Sequence, residues 1–262
     1  MSGTGAQIAG CKRTGPTNRR QATREMQVEQ YGRGFYSGRD ASTRYAAEKV
    51  LELLTTRLPP INSAVDVGCG VGTWLASLMR RGTEDIQGIE GPWARPELLE
   101  IPAAKFHQAE ISTLREWPRR FDLAICLEVA EHVDASMAGN FVKLLCDMSD
   151  FVLFSAAVPF QGGRHHVNEQ WPGYWVERFA ERGYRCHDWI RPQIWEEHEI
   201  PVWYRQNILV FVSSAREPDL LPGVSAPPMP LAVVHPEMYT MKLEPRPIGS
   251  RIANILKRIR ER

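Results

Sequence analysis

The chain is expected to form an α/β domain, a mostly parallel sheet with helices on both faces. Three observations lead there. Short apolar runs alternate with helical patterns through the middle of the chain. A glycine-rich turn joins the first of these runs to a helix. After residue 160 the pattern becomes helix, strand, strand, which adds an antiparallel edge.

Residues 1–28 are polar, rich in Gly, Thr and Arg, and read as a tail. A helix is predicted over Ser42 to Leu58, where Tyr45, Val50, Leu51, Leu53 and Leu54 recur near a 3.6 period before Pro59. "SAVDVGCGVGTWLASLMRRG" then reads as strand, glycine turn and a helix ending at Gly82. Strands are expected in "IQGIE", "AKFHQAE", "FDLAICLE" and "DFVLFSAAV". In "NEQWPGYWVERFAERG" Pro172 suits a first helical turn, with Asn168 or Glu169 near the cap. Trp171, Tyr174, Trp175 and Phe179 follow at spacings that put Trp175 and Phe179 on a core stripe. "YRCHDWI" and "YRQNILVFV" are the last strands, joined by a loop carrying Trp195 and Trp203. The domain so defined spans 29–215. The remainder, 216–262, is expected to be an irregular Pro-rich stretch ending in a helix. In that helix Ile252, Ile255, Leu256 and Ile259 share one face against a basic one. Such a helix docks on the body or on a second copy as a homodimer, or lies on an anionic membrane surface, and its short apolar stripe favours docking.

Composition narrows the classes. With 43% hydrophobic and 24% charged residues in 262, a large core is available. A formal net charge of +1 argues against bulk attraction to nucleic acid. The five cysteines, Cys11, Cys69, Cys126, Cys146 and Cys186, form no C-x-x-C pair, which points to a reducing compartment. No apolar run reaches membrane-spanning length and the N-terminus lacks a secretory signal, so the expected location is cytoplasmic.

Two stretches carry chemistry. In "VDVGCGVG" Asp66 precedes Gly68, Gly70 and Gly72, so the backbone can approach a ligand closely at a helix N-terminus. The spacing is G-x-G-x-G rather than G-x-G-x-x-G, and no P-loop lysine is present, so phosphate cradling is poorly served. Glu90 ends the next apolar run, placed to accept from a ribose diol. The second stretch, "FDLAICLEVAEHV", is an apolar run that ends in Glu128, Glu131 and His132. Burying charge is costly unless it is paired or bound, so the cluster faces water or a ligand. Two carboxylates and an imidazole suit a divalent ion such as Mg²⁺ or Mn²⁺, and a short helical turn would point Glu128 and Glu131 the same way.

These features resemble the class I S-adenosylmethionine-dependent methyltransferases over about residues 42–213. The resemblance implies a Rossmann-like, seven-stranded, mostly parallel sheet with an antiparallel edge hairpin. S-adenosylmethionine would lie over the glycine turn with Asp66 near its amino group. Gly68, Cys69, Gly70, Gly91 and Leu127 would line it, Glu90 would hold the ribose, and Glu110 and Ile111 would flank the nucleoside. The family more often has Asp where Glu90 and Glu110 stand. "YGRGFYSGRD" would close over the cofactor as a lid. E-x-x-E-H with a later histidine is similar to small-RNA 2′-O-methyltransferases and to O-methyltransferases of quinone biosynthesis. It implies a metal set of Glu128, Glu131, His132 and His166, with His166 fitting better than His165. The same run elsewhere only shapes the cofactor loop. Without metal, His166 or His132 would act as general base, with Glu128 beside them. "HVNEQW" after "EVAEH" is similar to bacterial methyltransferases of the glycan and natural-product type, and its polar residues suit a polyhydroxylated ligand. The expected activity is O-methylation of a small hydroxylated molecule; the alternatives are RNA 2′-O-methylation and a non-catalytic partner subunit.

Overall fold

The computed structural model of the protein describes residues 40–223 and 232–243. The N-terminal tail, the "YGRGFYSGRD" stretch up to residue 39 and the C-terminal helix expected over 250–262 lie outside the described residues.

Helix α1 spans Asp40–Thr55, ending three residues earlier than its apolar period predicts. Strand β1 (Ser63–Val67) enters the glycine turn, and α2 (Thr73–Arg80) leaves it. Then come β2 (Asp85–Glu90), β3 (Phe106–Gln108), β4 (Leu123–Leu127), α3 (Ala138–Met148), β5 (Phe151–Ser155) and α4 (Pro172–Ala180). The chain continues through β6 (Tyr184–His187), α5 (Arg191–Ile194), α6 (Val202–Asn207) and β7 (Leu209–Ser213). Two short helices, α7 (Glu217–Leu220) and α8 (Pro236–Leu243), lie in the stretch expected to be irregular.

The sheet order is β3-β2-β1-β4-β5-β7-β6. All neighbours are parallel except β7, which runs against β5 and β6. The antiparallel pair is therefore present, but its reversed strand lies inside and β6 is the edge. The segment between β6 and β7 holds two short helices, α5 and α6, rather than a plain loop. The strand expected over "AKFHQAE" shrinks to three residues at the other edge, where His107 and Gln108 face solvent.

Alternation along each strand divides the core. Ala64, Leu123, Leu153 and Val210 face α1 and α2, while Val65, Ala124, Phe154 and Phe211 face α3 and α4. Trp175 and Phe179 enter the second layer, where the Phe179 ring stacks on Phe211 with centroids 3.8 Å apart. Trp171 instead caps α4 from outside with 41% of its surface exposed, and no side chain bonds the helix end. Asn168 and Glu169 have other partners, given below. Strand order reverses between β1 and β4, which opens the ligand crevice at their carboxyl ends. No helix among the described residues is long and apolar enough to cross a membrane.

A residue inside α4 and the one that caps it should therefore respond differently. Phe179→Ala is expected to cost about 3–5 kcal/mol in urea unfolding. Trp171→Ala should stay within about 0.5 kcal/mol of the parent.

Candidate active site

At the end of β1 the chain turns through Gly68 and Gly70, both at positive φ, into α2, whose N-cap is Gly72. The amides of Gly68 and Cys69 donate to the Ile89 carbonyl at 2.8 and 3.1 Å, tying the turn to β2. Gly68 is obligatory on two counts: its φ is +85°, and a Cβ there would collide with the Val129 side chain.

Around this turn lie the acids. The Glu90 carboxylate accepts from the Gly70 amide at 2.8 Å and the Gly91 amide at 2.7 Å. The Trp93 side chain donates to it as well. Asp66 is 3% exposed, and among the described residues neither it nor Glu90 forms an ion pair. Burial, then the Glu90 charge, pushes the Asp66 pKa well up; burial also raises that of Glu90, against the two amides. A pocket holding two such carboxylates is relieved by a cation. Cys69, Ile111 and Leu127 are buried. Glu110 follows β3, where Ser112 Oγ donates to its carboxylate at 2.9 Å.

The second group sits past β4. Glu128 has φ +57°, and a 3₁₀ turn from Ala130 to His132 follows. That kink separates the two glutamates. Glu128 turns toward two amides, accepting from Gln161 Nε2 at 2.8 Å and Asn207 Nδ2 at 3.0 Å. Glu131, His132 and His166 instead converge, each offering a donor atom within 4.8 Å of the others. Of the expected set of Glu128, Glu131, His132 and His166, the structure brings the last three together and turns Glu128 away, because the left-handed residue breaks the helical register.

Glu131 is 1% exposed, and its Oε2 has no hydrogen-bond partner. Burial, then the charge of Glu128, holds its pKa well up. His132 Nδ1 lies 3.2 Å from the His165 carbonyl, and His166 Nδ1 lies 2.8 Å from Glu169 Oε1. A carbonyl and a carboxylate only accept, so both Nδ1 atoms carry the proton and both Nε2 lone pairs are left for a ligand. Burial, then the neighbouring His166, lowers the His132 pKa and keeps that ring neutral. His165 meets the cluster through its carbonyl.

Glu169 and Asn168, whose density suggested a polyhydroxylated ligand, have partners within the chain. Glu169 accepts the amides of Phe160 at 2.8 Å and Gly162 at 2.6 Å besides His166. Asn168 is buried, accepts from Gln170, and leaves its Nδ2 unpaired. Sequence reasoning missed Trp93, Gln161 and Asn207. The one available signal was "QN" directly before the last apolar strand, polar side chains at the edge of a buried run.

A family model described as a methyltransferase domain matches residues 38–192, more than half of the chain. Among solved structures, CalS10 of Micromonospora echinaspora, an S-adenosylmethionine-bound amino pentose methyltransferase of calicheamicin biosynthesis, is similar. It is 14% identical with TM-score 0.50, covering 69% of this chain and 95% of its own. DesVI of Streptomyces venezuelae is similar at 16% identity and TM-score 0.50, covering 68% and 94%. At these identities the likeness is one of fold. No curated protein sequence matches the chain. The domain match, the strand order and the glycine turn with its two buried acids agree, and the chain belongs to the methyltransferase-domain family.

Proposed function

We propose that the protein is an O-methyltransferase that transfers the methyl group of S-adenosylmethionine to a hydroxyl of a small molecule, a sugar or natural-product intermediate. The observation that carries this reading is the triad of Glu131, His132 and His166 beside a cofactor pocket at the same sheet edge. S-adenosylmethionine supplies an electrophilic methyl on a cationic sulfonium. Asp66 faces its ammonium group and Glu90 its ribose, with Gly68 and Gly70 admitting it close to the backbone. Cys69, Gly91, Ile111 and Leu127 line the pocket, and Glu110 stands at its nucleoside end.

A neutral alcohol is a poor nucleophile until its proton departs. The triad suits a divalent ion by three features: an orphaned buried carboxylate oxygen, two oriented Nε2 lone pairs, and a neutral His132. Two nitrogens and one oxygen favour Mn²⁺ or another first-row ion over Mg²⁺. Such an ion lowers the pKa of an oxygen bound to it. His166 and His132 otherwise present the same Nε2 atoms as general bases, a contribution of about 10²–10⁴-fold. Glu128, steadied by its amides, borders the acceptor. RNA 2′-O-methylation is the second reading, since a ribose hydroxyl meets the same triad. The balanced overall charge supports a small molecule instead.

Glu90→Ala should weaken S-adenosylmethionine binding by about 1.5–3 kcal/mol in calorimetry, and unchanged affinity would refute the ribose assignment. Glu131→Gln should abolish most turnover while leaving that affinity nearly unaltered. Chelation should silence the enzyme, with Mn²⁺ restoring it. Full activity in a chelated sample free of metal by elemental analysis would leave the imidazoles as bases. An acidic phenol acceptor should depend least on metal, since it ionises readily.

A further inference from the structure

The family match ends at residue 192, yet groups that hold Glu128 come from later in the chain. Asn207 donates to Glu128 Oε1 and also to Gln161 Oε1, at 3.0 and 2.8 Å. Gln206 donates to Asn207 and Gln161 at 3.0 and 3.3 Å. The segment 232–243 then lies across this amide cluster. The His235 backbone N–H donates to Gln206 Oε1 at 2.8 Å. Its imidazole Nδ1 accepts from the Glu237 amide at 3.2 Å, and its Nε2 lies 2.9 Å from the Trp195 carbonyl and 3.1 Å from Arg205 Nη1. Glu237 pairs with Arg205, a guanidinium with no exposed surface, and Lys242 donates to the Gln161 carbonyl.

These contacts differ from those of an ordinary surface helix. In α8 only Met238 is buried, while Tyr239, Met241 and Leu243 remain exposed. Polar groups anchor the segment, and they end on residues that hold the site. Gln161 is the centre of that hold: its side chain bonds Glu128, and the amides on either side, Phe160 and Gly162, bond Glu169, which orients His166.

We infer that residues 235–242 are a strap that positions the acceptor side of the active site. Lys242 is the positioning residue for Gln161 and, through it, for Glu128. The cofactor turn has its own ties to β2 and does not use the strap. The inference rests on the proposed function only in placing the acceptor beside Glu128 and the triad.

Hydrogen–deuterium exchange on the full chain tests it without an acceptor or a metal, so failure of the O-methylation reading would leave this result unaffected. In Lys242→Met, peptides covering 158–171 should exchange about tenfold faster, the expected effect of losing a charged hydrogen bond on local opening. Peptides covering 64–90 should be unchanged, as should S-adenosylmethionine affinity, and Lys242→Arg should restore protection. Truncation after residue 223 strips Arg205 of its carboxylate and endangers folding, so the point variant is decisive. Parental exchange over 158–171 in Lys242→Met would overturn the inference. So would acceleration spread through the whole sheet, since Lys242 would then support the fold rather than this segment.

Discussion

The site depends on one constraint: carboxylates at the carboxyl edge of the sheet are held by neutral N–H donors. Glu90 rests on the Gly70 and Gly91 amides, Glu169 on those of Phe160 and Gly162, and Glu128 on the side-chain amides of Gln161 and Asn207. Neutral donors orient an anion without cancelling its charge. Among the described residues, Asp66 and Glu90 are left without a lysine or arginine partner, a setting that a cationic methyl donor would relieve.

Holding so many acids by backbone amides demands unusual backbone. Glu128, Phe160 and His165 all have positive φ, and all three lie in the segments that carry the triad or its supports. Such conformations cost about 1–3 kcal/mol each and persist only where the surroundings over-determine them. Here the surroundings are visible: the Glu128 amide donates to Ser155 O and Oγ at 3.1 and 3.0 Å, and Glu169 fixes the Phe160 amide at 2.8 Å. The left-handed turn at Glu128 is also what parts Glu128 from Glu131, giving one carboxylate to the amide cluster and the other to the imidazoles.

The two halves of the crevice are consequently different in character. The β1–β2 side is a rigid turn whose bonds are short-range in the sheet, and it offers buried negative charge. The β4–β5 side is assembled from long loops and offers two lone pairs beside an unpaired carboxylate oxygen. The proposed O-methylation, which brings a cationic donor against a hydroxyl that must lose its proton, would draw on both properties.

The sequence by itself determined the frame of the sheet and the glycine turn with its two acids. Asp66, the glycines and Glu90 are legible because their placement is local: a strand delivers each to its end, and the positive φ of Gly68 and Gly70 follows from the turn. The core positions of Trp175 and Phe179 follow likewise from helical period. Tertiary structure alone decided the other half. Glu128 meets Gln161 across 33 residues and Asn207 across 79, while Lys242 meets Gln161 across 81. Pattern along the chain has no access to such separations. It also cannot show a left-handed φ at a glutamate, which is why Glu128 was grouped with Glu131 and His132. The different settings of His166 and His165 have the same origin: Glu169 meets the ring of one, and the carbonyl of the other meets His132.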